Sequence, residues 1–236
     1  MEPIVHHLKN YGLEIWYDRY KTTLGDNLRT RCLDEGAAGG AYAVVILSKH
    51  TVKSSFAMEE LSILKLRHHQ KLVTIFPILY EFSPSNMPAE LSWMKELIFK
   101  EVDKQSGTRE ICNHIACKIT SDILRECKHQ NIQEIVDSQI SLLDFASYSF
   151  LRRYQEIDRA NLNSRITLLY AVYLILIQLE TIKQKAQINM ISKIFHRLFS
   201  ETSLSLDIDY RELWLLENSI CILIDRYLAS RTESKM

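Results

Sequence analysis

The chain lacks a stretch of apolar residues long enough to cross a bilayer. Its longest uninterrupted run is LLYAVYLILI, from Leu168 to Ile177, against the roughly 20 residues that a spanning helix needs. That run reads as a buried helix, and no membrane partner is expected. The chain also lacks an excess of charge, with 29 Lys plus Arg against 29 Asp plus Glu. No global field draws it toward nucleic acid, which is not expected as a partner. The five cysteines, Cys32, Cys112, Cys117, Cys127 and Cys221, are odd in number, and none forms a CxxC pair. This argues against a disulfide framework or a cysteine metal knuckle and points to a reducing compartment. The N-terminus has no basic segment followed by an apolar one, so no cleaved signal is expected and the location reads as cytoplasmic.

Glycine and proline are scarce, at six and four, and there is no internal repeat or low-complexity tract. Apolar residues make up 47% of 236, enough to build the cores of two modest domains. The first half alternates in pattern. "EPIVHHLKNYG" has helical apolar spacing and stops at Gly12, and "LEIWY" reads as a short strand. "DRYKTTLGD" reads as a loop, and "NLRTRCLDEG" as a helix ending at Gly36 that Asp26 could cap. "AYAVVILS" and "KLVTIFPILY" are continuous apolar runs of the kind found in strands buried on both faces of a parallel sheet. Between them lies the helix "SFAMEELSILKLRHHQ", for which Ser55 is the expected cap. "ELIFKEV" reads as an edge strand and "TREICNHIACKITSDILREC" as an amphipathic helix. Strand and helix alternating in this way predict an α/β fold with a parallel sheet.

From about residue 128 the strand signals stop. Helices are expected near 131–156, 161–187, 188–201 and 208–231, making an all-α bundle. In the last of them Leu213, Leu216, Ile220, Leu223, Ile224 and Leu228 form an apolar stripe. The predicted domains are therefore 1–127 and 128–236, the second a candidate sensor or oligomerisation module.

The stretch "SSFAMEELSILK" places two carboxylates, Glu59 and Glu60, side by side where a helix is expected to begin. Acids in a first turn are ordinary, because the exposed N–H groups and the helix dipole favour them. Glu60, however, follows Phe56 by four residues and so shares its face with an aromatic ring. Other candidate chemistry is weaker. His6–His7 and His68–His69 are adjacent pairs that cannot chelate as an i, i+4 pair does, and no metal site is expected. Gly25 lacks the repeated glycines and the Lys-Ser/Thr pair of a phosphate loop.

Taken in order, "GLEIWYDRYKTTLGDNLRTRCLDEG", "AYAVVILS", "SSFAMEEL" and "VTIFPILY" resemble the bacterial Toll/interleukin-1 receptor (TIR) domain. The residues that carry the resemblance are Trp16, Tyr17, Asp18, Leu24, Gly25, Asp26, Ser48, Glu60 and Leu61. It implies a flavodoxin-like sheet of order 2-1-3-4-5 and, in members that cleave NAD, a catalytic glutamate at Glu60. It also implies that Asp18 and the loop Tyr20 to Asp26, with Tyr20, Leu24, Gly25, Ser55 and Phe56, border the substrate pocket. The chain departs from the family in three places. Phe56 stands where the helix motif has Trp, Gly40 where a serine is usual, and the family's first strand is not found within these 236 residues. That strand would lie between 13–17 and 42–47, so the natural start is expected upstream.

The resemblance implies an NAD glycohydrolase or cyclase, with NAD as substrate and no cofactor, acting in antiviral defence or signalling and self-associating through its TIR domain. The alternative is a non-enzymatic scaffold working through TIR–TIR contacts. A nucleoside-processing enzyme on a related fold is a third reading, but it leaves the Leu24–Asp26 loop unexplained.

Overall fold

A computed structural model describes residues 1–138, 143–178 and 210–233. The chain divides into two compact units: Met1–Asn10 with Glu14–Ile115, and Tyr11–Leu13 with the chain from Ala116 onward.

The first unit is built on a parallel sheet of order β1-β2-β3, with β1 Tyr42–Leu47, β2 Thr74–Tyr80 and β3 Lys100–Val102. Tyr42 pairs with Thr74 and Leu47 with Leu79, and β3 joins only along Ile78–Tyr80. The two apolar runs thus form adjacent strands, as their patterns predict. Leu47 and Leu79 are completely buried and share a core with Val45, Leu61, Ile75 and Met94. Between the two strands runs helix α3, Ser55–His69, the crossover connection that a parallel pair requires. Helix α1, Glu2–Asn10, buries Ile4, Val5 and Leu8, and the Cys112 thiol donates to the Ile4 carbonyl at 3.7 Å.

Several local expectations are corrected. Residues 13–17 are extended at Tyr17 (φ −144°, ψ 123°) but form no strand. A strand exists only through a partner's hydrogen bonds, and among the described residues this segment pairs with no other strand. Asp18–Lys21, expected as loop, is a short helix, α2. The segment "TRCLDEGA", Thr30–Ala37, winds as a π-helix and ends one residue beyond Gly36. Asn27 rather than Asp26 caps that helical stretch, its Oδ1 accepting from Thr30 N at 3.2 Å. Ser54 rather than Ser55 caps α3, its Oγ accepting from Ala57 N at 3.2 Å.

Helix α4 (Thr108–Glu126) begins in the first unit and ends in the second, which continues with α5 Ile132–Ser138, α6 Phe145–Glu156, α7 Leu162–Gln178 and α8 Tyr210–Glu233. The single helix expected over 131–156 is two, because Asp144 caps α6 by accepting from Ser147 N at 2.9 Å. The expected helix 188–201 and residues 179–187 lie outside the described residues. The predicted stripe of α8, from Leu213 to Leu228, is buried throughout. A polar group sits inside this packing. Buried Tyr154 donates to Glu217 at 3.1 Å, and the buried Arg165 guanidinium lies 4.0 Å above the Tyr154 ring.

Candidate active site

The cap at Ser54 changes how the two acids are read. Helix α3 begins at Ser55, so Glu59 and Glu60 lie beyond the first turn, where no acid is found. The helix dipole does not account for them. Their environments also differ. Arg29 donates to Glu59 in a surface ion pair. Glu60 is half-buried with no cation on it among the described residues. Burial raises its pKa above the ordinary glutamate value, and the neighbouring Asp18 carboxylate raises it further. Among the described carboxylates it is the one pushed in that direction.

Asp18 opens helix α2, two residues after Trp16. The Trp16 ring is set by Gly36: a Cβ there would lie 2.7 Å from Cζ3 of the indole, so the ring rests on bare backbone. Glycine is required at Gly36 for this close approach. The Cys32 thiol belongs to the same neighbourhood. It is buried, and burial first, then Glu60, then Asp18 raise its pKa. The π-helix, which packs against α3, therefore brings Cys32 toward the two acids. Such helices are over-represented at functional sites.

The loop after α2 is internally bonded. Thr22 N donates to Asp18 O at 2.8 Å, and Thr23 N donates to Asp26 Oδ2 at 2.8 Å. Gly25 has φ +98°, the left-handed region that favours glycine. Leu24 at the tip is fully exposed, and Leu28 is also exposed. Tyr20 stacks edge-on against Tyr17 at 5.1 Å, with Lys9 Nζ 4.6 Å from its ring centre. Phe56 is half-buried and Ser55 exposed, one turn before Glu60. The structure thus brings Asp18 and Glu60 together, gathers Tyr20 with Tyr17 and Lys9, and leaves Leu24 in solvent.

Three residues entered the site without a sequence signal. Arg29 and Arg31 reach partners 30 and 10 residues away in the chain, and Cys32 carries no motif that would single it out. Of these contacts, spacing alone could have suggested only the i, i+4 pair of Arg31 with Glu35. Gly40, in place of the family's serine, fits its setting, since a Cβ there would sit 3.1 Å from Tyr42 O. No cluster of three or more His, Cys, Asp or Glu able to hold a metal occurs among the described residues, and no described helix is long and apolar enough to cross a membrane.

The parallel sheet fits an α/β domain of known class: residues 1–111 match the family model described as TIR domain, and this part of the chain is a TIR domain. Curated relatives are bacterial and archaeal. One is the 2′ cyclic ADP-D-ribose synthase of Bacteroides thetaiotaomicron, 34% identical over 86 residues, covering 33% of this chain and 30% of that protein. Another is the NAD(+) hydrolase of Paracoccus denitrificans, 32% identical, covering 35% of this chain and 27% of that protein. A third is the NAD(+) hydrolase of a Theionarchaea archaeon, 33% identical, covering 32% and 22%. The match spans under a third of each relative's own length. No solved structure matches the chain.

Proposed function

We propose that this protein cleaves the bond between nicotinamide and ribose in NAD, releasing a linear or cyclic ADP-ribose, with Glu60 as its catalytic carboxylate. The observation that carries the proposal is the contrast between two adjacent acids: Glu59 is paired with Arg29, whereas Glu60 is half-buried beside Asp18, with no cation on it among the described residues. The names of the relatives, which specify NAD hydrolysis and cyclic ADP-ribose synthesis, support the same substrate.

The chemistry suits a single positioned carboxylate. Nicotinamide leaves as a neutral base from a cationic ring, so its departure needs no strong acid. What needs help is the oxocarbenium-like charge that develops on the ribose. An ionised Glu60 stabilises that charge, and in a partly dehydrated site it does so more strongly than in water. Held by the same carboxylate, the ribose hydroxyls fix the ring in a reactive orientation. Asp18, Tyr20, Leu24, Gly25, Asp26, Ser55 and Phe56 line the approach in this reading, Phe56 offering a flat face for stacking. The reaction uses no metal and no further cofactor.

The wider setting follows the same reading. The protein works in the cytoplasm in antiviral defence or signalling, with residues 128–236 as a sensing or assembly module. A second reading, the TIR–TIR scaffold, is favoured by one feature: Leu24, Leu28 and Tyr20 are exposed around the loop, an apolar surface suited to a second copy.

The test is nicotinamide release from NAD by concentrated full chain, with Glu60→Gln and Glu59→Gln in parallel. Release by the wild type and Glu59→Gln, with loss of about 100-fold or more in Glu60→Gln, is expected. Equal activity in all three removes Glu60 from the chemistry, and silence from the wild type moves the function to the scaffold.

A further inference from the structure

The loop between α2 and the π-helix carries an arrangement that the proposed reaction does not by itself require. Arg31, on the first turn of the π-helix, sends Nη2 back to the carbonyl oxygen of Lys21 at 2.9 Å. Its Nε lies 3.7 Å from Asp26 Oδ2, and its Nη1 donates to Glu35. Lys21 and Asp26 mark the two ends of the loop. One guanidinium therefore hydrogen-bonds one end of the loop and stands at ion-pair distance from the other, its Nε making no hydrogen bond, while Asp26 accepts from Thr23 inside the loop. The π-helix that bears Arg31 packs on α3, which bears Glu60. The π-helix thus touches both the loop, through Arg31, and the helix that carries Glu60.

We propose that Arg31 is a positioning residue that staples the loop Lys21–Asp26 in the shape that receives NAD, a role that rests on the NAD-cleaving reading above. Arg31 touches neither substrate nor reacting atoms. It acts by holding the loop ordered before substrate arrives, so that binding does not have to order it. Lysine cannot replace it fully. The grip needs a planar fork that reaches a carbonyl and a carboxylate together, and an ammonium offers one point of charge.

The proposal separates binding from chemistry. In Arg31→Met the KM for NAD should rise about tenfold with kcat within about twofold, the result expected when an ordered-loop contribution common to ground and transition states is lost. Arg31→Lys should recover part of that rise. Glu35→Gln, which removes only the solvent-side partner, should leave KM unchanged. A second readout needs no activity. Chymotrypsin should cleave after the exposed Leu24 about fivefold faster in Arg31→Met than in the wild type, because a released loop samples cleavable states more often.

Unchanged KM together with unchanged cleavage in Arg31→Met would overturn the proposal. A fall in kcat at constant KM would overturn it too, since Arg31 would then act on chemistry. If the wild-type chain releases no nicotinamide, the functional reading fails and the claim about NAD fails with it. The cleavage rates would still decide, separately, whether Arg31 holds the loop.

Discussion

Replacing Gly36 by alanine puts a methyl group where the structure has an indole. The added Cβ would lie 2.7 Å from Cζ3, 2.9 Å from Cη2 and 3.0 Å from Cε3 of Trp16. Carbon atoms prefer roughly 3.5–4.0 Å, so the ring has to move by about 1 Å or the π-helix has to shift away. Overpacking of this kind costs about 1–3 kcal/mol. Alanine gives back about 0.5–1 kcal/mol through the entropy that glycine loses in a helix. The net expectation is a loss of about 0–2.5 kcal/mol, centred near 1, read by urea unfolding of the full chain with circular dichroism. Because Asp18 follows Trp16 by two residues, the displacement reaches the acid beside Glu60, and nicotinamide release should fall by about tenfold or more. Trp16→Phe removes the outer atoms that collide. In the double variant the loss should therefore be smaller than the sum of the single losses by about 1 kcal/mol. A Gly36→Ala protein as stable and active as the wild type, or strict additivity in the cycle, would refute the packing described here.

Glu60→Gln should be at least as stable as the wild type at pH 7 and indistinguishable from it at pH 4. Burial raises the Glu60 pKa in the folded state, so its neutral form is the one the fold favours. The wild type therefore loses stability relative to the variant as pH rises from 4.5 through the raised value, and unfolding midpoints at the two pH values measure the difference. In the second unit, Tyr154→Phe should lower stability by about 1–2 kcal/mol in urea unfolding, since it leaves the Glu217 carboxylate without its donor inside the packing. Burial, then the Glu217 charge, holds the Tyr154 hydroxyl far above the usual phenol range, so this loss should stay constant from pH 6 to 9 and shrink only as pH rises past the unfolded tyrosine value. A loss that disappears by pH 8 would mean that the folded hydroxyl is not held in its neutral form.

The parts of the fold that were legible in the sequence are those decided locally or by burial. The runs at 42–47 and 74–80 are apolar because both faces are covered, and that property shows in any window of six residues. Residues 13–17 have similar composition but are not a strand, because pairing depends on a neighbour that composition does not encode. Asp144 illustrates a signal that was present and missed: it stands three residues before Ser147, the spacing of a helix cap, inside what reads as one helix. Ser54 and Ser55 differ by a single position, yet that position decides whether Glu59 and Glu60 fall in a first turn. Glu60 was singled out by the ordered TIR motif. Its contrast with Glu59 was not, because Arg29 sits 30 residues away and only the fold brings it there.

The π-helix has a further consequence for how this segment can vary. A π-turn takes up more residues than an α-turn, so Thr30–Ala37 carries surplus chain within a fixed span. Delete one residue from it and the stretch can relax to ordinary α-helix, where each position advances by about 100°. Gly36 would then leave the indole, and Cys32 would rotate away from the acids. Number of residues, more than their identity, is what keeps this stretch in alignment. Insertions and deletions should therefore be tolerated worst in the one segment whose side chains, apart from Arg31, Cys32 and Gly36, do least at the site.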